Sequence, residues 1–192
     1  MNRRIVKWLI LAAIAGIAFG VITAYYAVDY IADLFSVKNG PWETNLLAGS
    51  EKADIYTRAA IAIHALFALN RSEAVYFIAT TDSSNQPLRL NCDYRIEGGK
   101  FPARWWSITV YGSDHFLIPN EYDIYAVTGE SVKWSDGKWV VKLSQRHREG
   151  SWIPLRGEGN FILVLRLYNP EQIVYESPQS VQLPEIILEG CR

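Results

Sequence analysis

From Trp8 to Val28 the chain reads WLILAAIAGIAFGVITAYYAV, 21 residues without a charged side chain. About 20 apolar residues in a helix span the hydrocarbon core of a bilayer, where every backbone N–H and C=O must find its partner within the segment. The run therefore predicts a single membrane span, and it leaves only the rest of the chain free to build a water-soluble fold. Arg3, Arg4 and Lys7 precede the span and the first acid is Asp29. The positive-inside bias then holds the N-terminus in the cytoplasm and delivers everything after Val28 to the far side. Tyr25 and Tyr26 near the outer end suit an interfacial aromatic belt. A cleaved signal peptide shares the basic start, and Ala18-Phe19-Gly20 fits a small-x-small cleavage site. The apolar run continues past that point to its full membrane-crossing length, which favours a retained anchor. Ala12, Gly16 and Gly20 recur every four residues, a small face through which two anchors could form a homodimer; such residues are also simply common in these helices.

The formal charge of −1 conceals an asymmetry, because residues 29–192 carry 16 basic against 20 acidic groups. No basic patch of the kind that follows a phosphate backbone stands out, which argues against nucleic-acid binding. The two cysteines, Cys92 and Cys191, lack the clustered spacing of a metal site, and in an oxidising compartment an even count reads first as a disulfide. That bridge would staple the tail to the domain.

Asp29 to Val37 reads as helix continuing from the membrane. Gly40-Pro41 stops any helix, so Lys38 to Ser50 reads as a connecting loop. From Asp54 to Leu69 apolar residues at Ile55, Ala59, Ala62, Leu66 and Leu69 follow the spacing of a helix with one buried stripe. The segments are thus a tip and anchor over 1–30, a juxtamembrane connection over 31–53, and a β-rich domain over 54–192. Within the domain, Leu88, Leu90, Cys92, Tyr94 and Ile96 alternate with Arg89, Asn91, Asp93, Arg95 and Glu97, the pattern of a strand with one dry and one wet face. Further strands are expected at Glu73–Thr80, Trp105–Tyr111, Tyr122–Val127, Ser131–Trp134, Lys138–Leu143 and Phe161–Tyr168, with Asp136-Gly137 a favoured two-residue hairpin turn. Short strands at such intervals predict a mainly β fold, an antiparallel sandwich or jelly-roll with one packed amphipathic helix.

Candidate ligand-binding residues come from breaks in this pattern. Trp106, Ile108 and Val110 share one face of their strand, which leaves Trp105 and Tyr111 on the other. An aromatic ring there can cover a helix, stack on a side chain such as Arg104, or meet a ligand. His115 sits in the turn-rich Gly112-Ser113-Asp114-His115. Arg166 interrupts FILVLRLY on the face shared by Ile162, Val164 and Tyr168; it either snorkels at an edge, pairs with an acid, or waits for an anionic ligand. Trp152 is a third aromatic candidate for stacking on a glycan. The other histidines, His64 and His147, show no pairing at catalytic or metal spacing. No serine elbow, phosphate-cradling glycine loop or zinc-binding helix signature is present, so neither cofactor nor metal nor catalytic set is implied.

Six blocks in order, GPW (Gly40–Trp42), YTRAAIA (Tyr56–Ala62), ALNRSEAVYF (Ala68–Phe77), PARWWSITVYGSDHFLIPN (Pro102–Asn120), SWIPL (Ser151–Leu155) and LVLRLYNP (Leu163–Pro170), resemble the bacterial family known as domain of unknown function 1214. The chain is similar above all to its small membrane-anchored alpha-proteobacterial members, in which a span precedes the domain and a cysteine ends it. The resemblance implies a β-sandwich, jelly-roll-like domain and no activity for any residue.

These observations lead to three expectations. The first is an inner-membrane-anchored, periplasm-facing module that binds an envelope protein or glycan. The second is a hydrolase on an envelope glycan or small molecule, which would need His115, Asp114, Arg104 and Arg166 to line one pocket. The third is a structural subunit of a membrane assembly, marked by an exposed apolar patch.

Overall fold

The computed structural model describes residues 3–63 and 69–192; His64 and Leu66 lie outside them. The N-terminal helix α1 (Arg3–Leu34) runs through the apolar stretch. The most apolar 18 residues within Arg3–Val28 have a mean hydropathy of 2.4 and none of them is buried against the protein, so the helix is long and apolar enough to cross a membrane. Ala12, Gly16 and Gly20 all lie exposed on it.

The helix ends at Leu34, not Val37, and what was read as a loop is a hairpin. Strands β1 (Ser36–Asn39) and β2 (Trp42–Asn45) pair in register from Ser36↔Asn45 to Asn39↔Trp42. Gly40 and Pro41 form the two-residue connection, and Gly40 adopts φ +60, a value that costs glycine little. Helix α2 (Ile55–Ile63) follows. Asp54 starts it by accepting hydrogen bonds from the Tyr56 and Thr57 N–H groups and the Thr57 hydroxyl. Those bonds, the Thr57 side chain first, hold the Asp54 carboxyl below its ordinary pKa.

The remaining elements are β3 (Ala74–Ala79), β4 (Cys92–Gly98), β5 (Ala103–Gly112), β6 (Ala126–Thr128), β7 (Trp134–Ser135), β8 (Lys138–Ser144), β9 (Ser151–Pro154), β10 (Phe161–Pro170), α3 (Gln172–Glu176) and β11 (Glu185–Cys191). One antiparallel sheet runs β1-β2-β3-β10-β5-β6; the other runs β11-β4-β8-β7, with β9 alongside β8 in parallel. Their inner faces share one core, in which Trp106 of the first sheet stacks on Trp139 of the second at 4.7 Å and Phe101 packs edge-on to Trp106. The expected mainly β sandwich with its preceding apolar helix is therefore what forms.

Several strand boundaries moved for identifiable reasons. Leu88, Leu90, Cys92, Tyr94 and Ile96 are all buried, as alternation requires, yet the ladder begins at Cys92 because the Cys92 N–H closes a turn onto the Arg89 carbonyl. Asn120 spans the loop before β6, donating to the Ile118 and Ile124 carbonyls and accepting from the Tyr122 and Ile124 N–H groups, so the strand starts at Ala126. Ser131 belongs to a turn with Thr128 rather than to a strand. Cys92 and Cys191 face each other in the β4–β11 ladder and form a disulfide.

Helix α2 departs furthest from expectation. Thr57 and Ala60 are its buried residues, whereas Ile55 is 75% exposed, Ile63 55%, and Ala62 also faces outward. The stripe identified the helix but not the face that packs.

Candidate functional site

The inner face of the six-stranded sheet is occupied by core, so any site on it must use the outer face. Strand β10 lies inside that sheet, between β3 and β5, which places Arg166 opposite Tyr76 on one side and Ser107 on the other. All three side chains point outward, because their neighbours Leu165, Leu167, Phe77 and Ile108 fill the core.

The guanidinium of Arg166 donates from Nη1 to Thr109 Oγ1 at 3.2 Å and from Nη2 to Tyr111 Oη at 2.8 Å. It also lies over the Tyr111 ring, 5.4 Å from the centroid, and over the Tyr76 ring at 5.6 Å. Two of the three fates open to this arginine are thereby settled: it is not at a sheet edge, and among the described residues it makes no ion pair. Two aromatic faces and two neutral oxygens hold a half-buried cation in place without cancelling its charge.

Next to this cluster is a cavity of about 340 Å³, within the size range of small-ligand sites. Tyr76 lines it, so the residue whose ring lies beneath Arg166 also borders the cavity. Ile78 of β3 and Thr57, Ala60 and Ile61 of α2 supply further lining. Exposed Asp33 and Lys38 and half-buried Glu43 stand at its rim. Glu43 accepts a hydrogen bond from Ser36 and has Lys38 Nζ at 3.8 Å.

Three of the six candidate residues, Trp105, Tyr111 and Arg166, share this outer face. Trp105 packs on Tyr168, ring centroids 5.0 Å apart, rather than on Arg104. Arg104 is exposed and has the opposite strand parity. His115 occupies the turn beyond the far end of β5 with φ +65, its N–H donating to the Gly112 carbonyl. Trp152 is buried in β9 of the other sheet, its indole N–H on the Ser144 carbonyl at 3.0 Å and its ring flanked by Tyr122 and His147. The four-residue grouping that hydrolysis would require is thus not assembled: Arg104 and His115 flank opposite ends of β5, and Arg166 lies between those ends on the outer face. Tyr76 and Thr109 complete the Arg166 cluster without having been candidates. Strand parity alone could have placed both outward, but their register with Arg166 is set by sheet pairing.

A model of the family described as Protein of unknown function (DUF1214) matches residues 73–172, more than half of the chain. The chain belongs to this family. The matched DUF1214 segment reaches from β3 to the start of α3, so it contains Tyr76, Tyr111 and Arg166, while the hairpin β1–β2 and helix α2 precede it. No curated protein matches the sequence. The crystal structure of the VPA0106 protein from Vibrio parahaemolyticus shares the fold, with a TM-score of 0.61 and 22% identity over 72% of this chain and 36% of that one. A putative uncharacterized protein from Burkholderia cenocepacia is similar at a TM-score of 0.42 and 16% identity, over 62% of this chain and 30% of its own. The DUF1214 chain described here therefore spans about a third of the length of both.

Proposed function

We propose that this protein is a binding module of the bacterial cell envelope, tethered to the inner membrane by α1 with its sandwich in the periplasm, and that its ligand carries an anionic group. The observation that carries the reading is Arg166: a cation on a central strand, clamped between Tyr76 and Tyr111, with no ion pair among the described residues and a cavity lined by Tyr76 beside it. A guanidinium held in this way is pre-organised, so an incoming phosphate or carboxylate gains charge-assisted hydrogen bonds without first ordering a long side chain. The anchored, periplasmic placement is supported by the apolar helix, its basic flank and the disulfide. Glycan stacking is less well served, because Trp152 is buried and Trp105 is already covered by Tyr168.

The test is native mass spectrometry of the full-length protein released from its own membranes, comparing wild type with Arg166→Met. Methionine preserves much of the packing and removes the charge. The wild type should carry a bound anionic species that is at least tenfold depleted in the variant, the equivalent of about 1.4 kcal/mol. An identical set of bound species in the two proteins would refute the assignment.

A further inference from the structure

The cavity beside Tyr76 is placed where a membrane lipid can reach it. Asp33, on its rim, stands five residues beyond Val28, the end of the apolar run. At 1.5 Å per helical residue that is about 7–8 Å past the hydrocarbon edge, and the headgroup layer of one leaflet is about 5–8 Å deep. With α1 spanning the bilayer as proposed, the rim lies at the level of the lipid headgroups, and α1 leads to the cavity without a linker.

Helix α2 supplies a second, independent observation. It is in contact with α1, and it turns Thr57, Ala60 and Ile61 toward the cavity. Its opposite face presents Ile55, Ala62 and Ile63 to the outside, with Ile55 75% exposed. In water those side chains gain no burial on folding; against headgroups and upper acyl chains they would gain it, as in interfacial amphipathic helices. A helix that lines the cavity with one face, touches α1, and leaves apolar side chains exposed on its other face can serve as a wall between bilayer and binding site.

We infer that this cavity is an acyl-chain site filled by a phospholipid from the leaflet at the outer end of α1, with α2 lying on that leaflet. The inference rests on the anchored reading above and concerns the cavity itself, a site separate from the Arg166 cluster. The apolar chain occupies the space between α2 and β3, and the polar rim of Asp33, Lys38 and Glu43 remains among the headgroups.

The full-length chain in nanodiscs doped with a phosphatidylethanolamine bearing a diazirine midway along its acyl chain tests this. Photolysis and peptide mapping should place label on α1 and, separately, on Ala60, Ile61 or Ile78. Ala60→Trp fills the cavity and should lower the second signal about tenfold while leaving the α1 signal unchanged. Ile61→Trp, at a half-buried position that disturbs folding less, should act in the same direction. Label confined to α1 in the wild type, or cavity label undiminished in both folded variants, overturns the lipid site while leaving the anchor intact. Absence of label from α1 as well refutes the anchor itself and the lipid site with it.

Discussion

Replacing Cys92 and Cys191 together by alanine removes a link between residues 99 apart in sequence. In the folded state little else should change. Strand β11 still pairs with β4 from Glu185↔Glu97 to Leu188↔Tyr94, Ile186 remains in the core, and Arg192 still reaches Asp93. The loss falls on the unfolded chain, which regains the entropy of a loop of about 100 residues, worth about 4.7 kcal/mol in the chain-entropy account. For a domain of this size each kcal/mol moves the melting midpoint by about 2–4 °C, so the double variant should melt about 10–20 °C below the oxidised wild type. Circular dichroism melts of the detergent-solubilised full chain check this, with reduced wild type as the companion sample. Reduced wild type and double variant should coincide within a few degrees, because Cys92 contributes only a small buried side chain to the packing. A variant melting within about 3 °C of the oxidised protein would refute the argument, since loop closure would then contribute almost nothing.

Asp93 accepts from Arg148 at 2.7 Å and from Arg192 at 3.2 Å; burial pushes its carboxyl up, but bonds from Ser144 and Arg148 and the two guanidinium charges more than offset this, leaving it below the ordinary value of 3.8. A depressed folded pKa gives stability that is present above the unfolded value and lost as pH falls through the folded one. Asp93→Asn should therefore cost about 1–2 kcal/mol in urea denaturation at pH 7, with the gap to wild type narrowing below about pH 4; an equal gap at pH 7 and pH 3 would contradict it. Gly98→Ala would put a Cβ 2.3 Å from Cζ2 of Trp139, which is buried and stacked on Trp106. Overpacking there should cost about 1–3 kcal/mol and alter the near-ultraviolet dichroism of the tryptophan pair; an unchanged spectrum and stability would show that the pair can move aside.

What proved legible in the sequence was whatever depends on near neighbours. The dry parity of Leu88 to Ile96, the outward placement of Trp105, Tyr111 and Arg166, and the Asp136-Gly137 turn, with φ +50 and +75, all follow from backbone geometry over a few residues. The hairpin β1–β2 was missed because two four-residue strands, SVKN and WETN, carry no alternation strong enough to read. Their stability comes from docking beside β3, where Trp42 faces Ala79. The Gly-Pro pair between them reads in sequence as a helix stop, but α1 already ends at Leu34 and the pair is a hairpin turn, which only the pairing reveals. The same limit hid Tyr76: its parity was readable, but its place across from Arg166 depends on the β3–β10 register.

By composition and short-range pattern alone, the sequence determined an apolar helix of membrane length, a two-faced strand repertoire and a pair of cysteines with no metal-like spacing. Tertiary structure decided which faces meet. It put Arg166 on a central strand between two tyrosines, turned the apolar stripe of α2 away from the sheet, and opened a cavity at the end of α1. The reason is physical: strand parity and helix period are set by backbone geometry over a few residues, whereas register and packing choose among many near-equal pairings by the summed burial of residues far apart in the chain.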